Sequence, residues 1–234
     1  MKNLILLLVL SLGIQVQSQA QFKDLLNKTK SILKDDVGLG LKDALNIGVQ
    51  AAVDSLSAKN GFLNSPYKIL MPAEARTVAQ KLQIVPGFQD LETKLTSKMN
   101  EAAEIAAKKA TPIFISAIKQ MTFEDAKNIL MGNDDAATRY LEKTTRDQLY
   151  TEFMPIIQAA LDEVDARTYW KSAISKYNKL PLVKKVNPDL DDHVNNGALN
   201  GMFGFIQVKE AGIRNDVSQR TSPRLKEVFS RQDK

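Results

Sequence analysis

The chain has 234 residues, a formal net charge of +5, no cysteine and a single histidine, His193. Those counts exclude disulfides, thiol catalysis, cysteine-based metal centres and zinc sites built on two or three histidines. A chain of this length can bury one sizeable core without covalent staples.

Met1-Lys2 supplies a positive charge, Leu4 to Leu12 is apolar apart from Ser11, and Ser18-Gln19-Ala20 sets small residues before Gln21. This is the three-part pattern of a secretory signal peptide over residues 1–20. The apolar run is about half the roughly 20 residues that a membrane span requires. No cysteine follows it, so the reading is export to the periplasm or the extracellular space, without a lipid or transmembrane anchor. Removing twenty residues and one lysine leaves 214 residues, with 31 basic against 27 acidic side chains, or +4.

Residues 21–234 read as one all-α domain, or as two helical lobes meeting near 111–134. Leu41, Ala44, Leu45, Gly48, Val49, Ala52, Val53 and Leu56 recur at three- and four-residue steps, which lines one helix face. Phe88, Leu91, Leu95, Met99, Ala102 and Ala106 predict a second helix, with charged residues on its solvent side. Thr111-Pro112 marks a break, and Ile113 to Met121 forms a short apolar continuation. Thr122 and Asp125 have the spacing of a capping box for a helix that buries Phe123, Ala126, Ile129 and Leu130.

A long helix is predicted from Asp134 to about Val164, kinked or split by Pro155, and another over about Ala166 to Lys179. The last begins after Asn187-Pro188, with Leu190, Val194, Ala198, Met202, Phe205 and Ile206 inward. The segments 58–72 and 180–187 read as ordered loops, the first pinned by Phe62, Leu63, Tyr67, Ile69 and Leu70. No alternating run exceeds four residues, and no repeat or low-complexity tract occurs. The expected fold is a compact bundle of about eight to ten helices without significant sheet.

Catalytic motifs are missing. There is no G-x-S-x-G turn for His193 to serve, and the three S-x-x-K matches lack their companion motifs. Gly38-Leu39-Gly40 opens no complete phosphate loop. The clusters Asn133-Asp134-Asp135 and Asp189/Asp191/Asp192 offer oxygen ligands, but they stand where helices begin and read as caps and first-turn acids. No cofactor and no metal is assigned. Gly197, Gly201 and Gly204 bare one strip of the last helix and predict a close neighbour, another helix in the first instance.

The most uneven charge lies between Ala166 and Pro188, which carries +6 with no acid. Arg167, Lys171, Lys176, Lys179, Lys184 and Lys185 supply the charge, and Tyr169, Trp170 and Tyr177 are interleaved with it. Basic groups among aromatics suit an anionic glycan or a lipid headgroup; export argues against nucleic acid. The candidate binding residues are therefore Arg167, Trp170, Lys171, Lys176, Tyr177, Lys179, Lys184 and Lys185. The plainer account packs Trp170, Ile174 and Tyr177 inward and leaves the lysines solvated.

Several stretches together resemble an exported bacterial family catalogued as domain of unknown function 4197. They are Gly40-Leu41-Lys42-Asp43-Ala44-Leu45, Asn60-Gly61-Phe62-Leu63-Asn64 and Met121-Thr122-Phe123-Glu124-Asp125-Ala126, together with residues 132–141 and 181–192. The resemblance implies an exported single-unit protein and brings no activity or catalytic residues. The leading reading is a non-enzymatic binding or interaction module for an anionic or apolar envelope ligand or a protein partner. The alternatives are a carboxylate-dependent envelope enzyme, such as a glycan hydrolase with two acids facing across a cleft, and a structural or chaperone-like module.

Overall fold

A computed structural model describes residues 38–186, 189–230 and 233; the signal-peptide reading and the Asn187-Pro188 break lie outside them. Among the described residues there are nine α-helices, one 3-10 turn and no strand. In chain order they are α1 (38–56), α2 (Ala73–Leu82), α3 (Leu91–Ala107), α4 (Thr111–Gln120), α5 (Phe123–Leu130), α6 (Ala136–Glu163), α7 (Ala166–Tyr177), α8 (Asp191–Asn215) and α9 (Pro223–Ser230). The all-α expectation is met. Among the described residues, no helix is long and apolar enough to cross a membrane.

The long helices α6 and α8 run antiparallel and form the spine, and α3 lies against both. Glu210 late in α8 is bonded to Ala137 early in α6, and Asp191 early in α8 to Gln158 late in α6. On α6 the buried positions Ala137, Leu141, Thr145, Leu149, Phe153 and Ile157 repeat every fourth residue, which draws one stripe along the helix. Thr145 keeps its place in that stripe because its hydroxyl donates to the Leu141 carbonyl at 2.6 Å. A single cluster of buried side chains extends from Leu41 in α1 to Phe229 in α9.

Local chemistry sets the joints. Thr122 and Asp125 form the expected capping box, with the Thr122 amide donating to Asp125 at 2.9 Å and the Asp125 amide to the Thr122 hydroxyl at 3.1 Å. Pro112 stands in the first turn of α4, where its missing N–H costs no helical bond. Between α6 and α7, Asp165 adopts a left-handed φ of 56° that turns the chain sharply.

Three sequence expectations change, and two helices, α2 and α9, form where the sequence pattern predicted none. Pro155 does not split α6, which is continuous through it. Pro155 is exposed, so the Thr151 carbonyl that it deprives of a partner lies on the solvent side, while Phe153 and Ile157 stay packed. Phe203, not Phe205, is the buried aromatic of α8, set edge-on to Phe114 at 5.6 Å. Helices α2 and α9 lack a strong pattern: α2 buries two alanines among four inward residues, and α9 has three inward residues over two turns. Finally, Leu70 is 57% exposed and does not pin its loop.

Candidate functional site

The residues between α1 and α2 form a strap laid between α3 and α8. On α3, Asn100 and Glu104 stand one turn apart and are both buried. Glu104 accepts the backbone amides of Asn60 at 3.0 Å and Phe62 at 3.3 Å. The Asn100 carboxamide accepts the Ile69 amide at 2.8 Å and donates to the Ile69 carbonyl at 2.9 Å and the Thr96 carbonyl at 2.7 Å. It satisfies both backbone groups of Ile69 as a neighbouring strand would.

From the other side, α8 offers its bare strip. A Cβ on Gly201 would lie 2.6 Å from a ring carbon of Phe62, and one on Gly204 would lie 2.7 Å from Tyr67. At Gly197 it would meet Ile69 at 3.0 Å. The close neighbour is therefore the strap and not another helix, because the rings of Phe62 and Tyr67 need the room that a glycine leaves. His193 completes the seat by donating from Nε2 to the Leu70 carbonyl at 2.8 Å.

Where the strap enters α2, two clefts meet at Pro72. The first, of about 470 Å³, is bordered by Tyr67, Lys68, Leu70, Arg76, His193 and Asn200, and no carboxylate among the described residues lines it. The Asn200 side-chain oxygen is taken by Arg146, which donates to it at 2.6 Å. Burial pushes the Tyr67 phenol pKa up, so it is a neutral hydroxyl at physiological pH. The second cleft, of about 270 Å³, is bordered by Trp170, Lys184, Lys185 and Val186 together with Glu74 and Asp189. Asp189 accepts the Asp191 amide at 3.0 Å, at the start of α8.

The eight residues of the basic aromatic segment separate into three groups. Trp170 and Tyr177 are buried, and the Trp170 indole nitrogen has no hydrogen-bond partner among the described residues. Arg167 is held by Asp162 at 2.9 Å and by Asp191 at 3.5 Å. Lys171, Lys176, Lys179, Lys184 and Lys185 are exposed, and none pairs with a carboxylate among the described residues. Between them, Leu182 has a left-handed φ of 61° and is fully exposed.

The acidic clusters are occupied with internal contacts. Asp191 receives Gln158 at 3.0 Å, Asp192 receives the Tyr150 hydroxyl at 2.6 Å, and Asp134 receives Asn215 at 3.1 Å. Asn133 and Asp135 make no side-chain cap on α6; Glu210 of α8 takes that place, accepting the Ala137 and Thr138 amides at 2.8 and 2.7 Å. No group of three or more acidic or histidine side chains among the described residues is arranged to hold a metal ion. The sequence shows Lys68 only as the end of an S-x-x-K match and does not join it to Arg76. They lie on different elements, and only the tethering of the strap brings them to one cleft.

The fold and these clefts define an all-α bundle with a cation-rich face built around a tethered strap. A family model described as a protein of unknown function, DUF4197, matches residues 31–230, and the chain belongs to that family. No curated protein and no solved structure matches the chain.

Proposed function

We propose that the chain is an exported, non-enzymatic binding protein that docks on an anionic envelope surface through the lysine-rich edge of α7 and the loop after it. The observation that carries this is the set of five exposed lysines without carboxylate partners among the described residues. Charges that the protein does not neutralise attract an acidic partner over about a Debye length, roughly 8–10 Å in physiological salt. Acidic lipid headgroups fit best, because the same edge carries apolar side chains in water. Leu182 is fully exposed, and Ile84, just beyond α2, is 91% exposed. The ends of α2 and α7 lie together, with the Lys81 ammonium 6.0 Å from the centre of the Tyr177 ring.

Sedimentation with phosphatidylglycerol vesicles tests the reading. The wild type binds them, does not bind phosphatidylcholine vesicles, and dissociates as salt is raised. Reversing Lys176, Lys179, Lys184 and Lys185 to glutamate abolishes binding. Failure of the wild type to sediment with acidic vesicles refutes the proposal.

A second reading, hydrolysis of a glycan by paired carboxylates, has one observation in its favour: Glu74 and Asp189 line the same cleft. Its test is turnover of envelope glycan that disappears in both Glu74→Gln and Asp189→Asn.

A further inference from the structure

The cleft between the strap and α8 combines two properties. Lys68 and Arg76 border it, and neither pairs with a carboxylate among the described residues. The imidazole of His193 stands beside them, with its Nε2 hydrogen committed to the Leu70 carbonyl. The rest of the border is largely apolar, and Leu70 presents more than half of its surface to water. At about 470 Å³ the cleft falls within the range of small-molecule sites, about 300–1,000 Å³.

We infer that this cleft binds a small amphiphile with an anionic head, its phosphate or carboxylate held between Lys68 and Arg76 and its hydrocarbon chain laid along Leu70 and Tyr67. An anion supplies the counter-charge that the cleft lacks, and guanidinium pairs with phosphate or carboxylate through two parallel hydrogen bonds. A neutral sugar leaves both cations unpaired, and a bare inorganic ion leaves the apolar border wet. The ammonium and the guanidinium come from the strap and from α2, so the strap's anchoring by Asn100 and Glu104 sets the geometry of the site. The inference rests on residues outside the lysine edge and stands independently of vesicle docking.

His193 is the chain's single histidine, so its ring protons give one unambiguous set of NMR signals from within the cleft. Octyl phosphate, added at fixed pH below its micelle concentration, is expected to shift those signals saturably. Octyl glucoside, with the same chain and a neutral head, is expected to leave them in place, and inorganic phosphate to move them only weakly. The double variant Lys68→Gln/Arg76→Gln loses the response; both side chains are exposed, and unchanged circular dichroism and melting confirm that it folds. Signals unmoved by octyl phosphate overturn the inference. So does an equal response to octyl glucoside, which makes the cleft merely apolar, or an equal response to inorganic phosphate, which makes it a simple anion site. A full response in the double variant also overturns it, by placing binding elsewhere.

Discussion

The carboxylate of Glu210 accepts the backbone amide of Thr138 at 2.7 Å, across 72 residues of chain. It also accepts the Ala137 amide at 2.8 Å and the Thr138 hydroxyl at 2.7 Å, so α8 caps the first turn of α6. The same carboxylate holds Arg214 at 2.8 Å, and Arg214 donates onward to the Ile129 and Leu130 carbonyls at the end of α5. One buried ion pair thus caps the first turn of α6, whose N-cap Asp135 makes no side-chain bond, and adds guanidinium donors to the backbone turn that already closes α5. Glu210→Ala removes the carboxylate that neutralises a buried guanidinium and accepts two buried amides, at a cost of about 3–5 kcal/mol. Urea unfolding should show that loss, and Glu210→Ala/Arg214→Ala should lose less than the sum of its two single variants.

Asn100 serves the strap as Glu210 serves α6. Asn100→Ala leaves the Ile69 amide and carbonyl buried and unpaired, costing about 2–4 kcal/mol at roughly 1–2 kcal/mol per group. Hydrogen exchange should accelerate at residues 60–70 ahead of the α6–α8 spine, because the strap loses its anchor first. Equal acceleration throughout the chain would show that the strap is not a separate unit.

Glycine-to-alanine replacement should change sign between two helices. A Cβ on Gly48 has nothing within 4 Å among the described residues, so Gly48→Ala keeps only the gain in helix propensity and stabilises by about 0.5–1 kcal/mol. At Gly201 the new methyl meets the fully buried Phe62 ring at 2.6 Å. The resulting overpacking, about 1–3 kcal/mol, exceeds the propensity gain, and Gly201→Ala destabilises. Paired thermal melts decide both.

The capping box of α5 should make part of the stability acid-sensitive. Hydrogen bonds from the Thr122 hydroxyl and amide lower the pKa of Asp125 below its ordinary value of 3.8. A depressed carboxylate contributes stability that is fully present above the ordinary value and lost as pH falls through the folded value. Asp125→Asn should therefore melt below the wild type at pH 7, with the gap closing as pH drops below about 4. Thr122→Ala, which removes the other half of the box, should cost about 1 kcal/mol at neutral pH.

The apolar stripes of α1, α3, α6 and α8 were readable because Leu41 to Leu56, Leu91 to Ala106 and Leu141 to Ile157 repeat once per turn over several turns. The Thr122–Asp125 box was readable because its bonds span three residues. Glu104, Glu210 and Arg214 were not, because a charged residue on a helix reads as solvated, and its burial here depends on backbone groups 42 to 85 residues away. The glycine strip announced a close neighbour without identifying it, since a bare helix face accommodates a helix or a loop equally well. The basic segment was visible by composition. The division of its members into buried aromatics, a paired arginine and exposed lysines follows from which way each turn of α7 faces, and that is decided by α2, α3 and α6 packing against it.

The strap is gripped by its main chain: Asn100 and Glu104 hold the amides of Asn60, Phe62 and Ile69 and the carbonyl of Ile69, and His193 holds the carbonyl of Leu70. None of those bonds depends on the side chain at position 68 or 70. The two outward positions beside the cleft are accordingly free to change character while the mount stays fixed, so ligand preference can be retuned by surface replacement without rebuilding the scaffold.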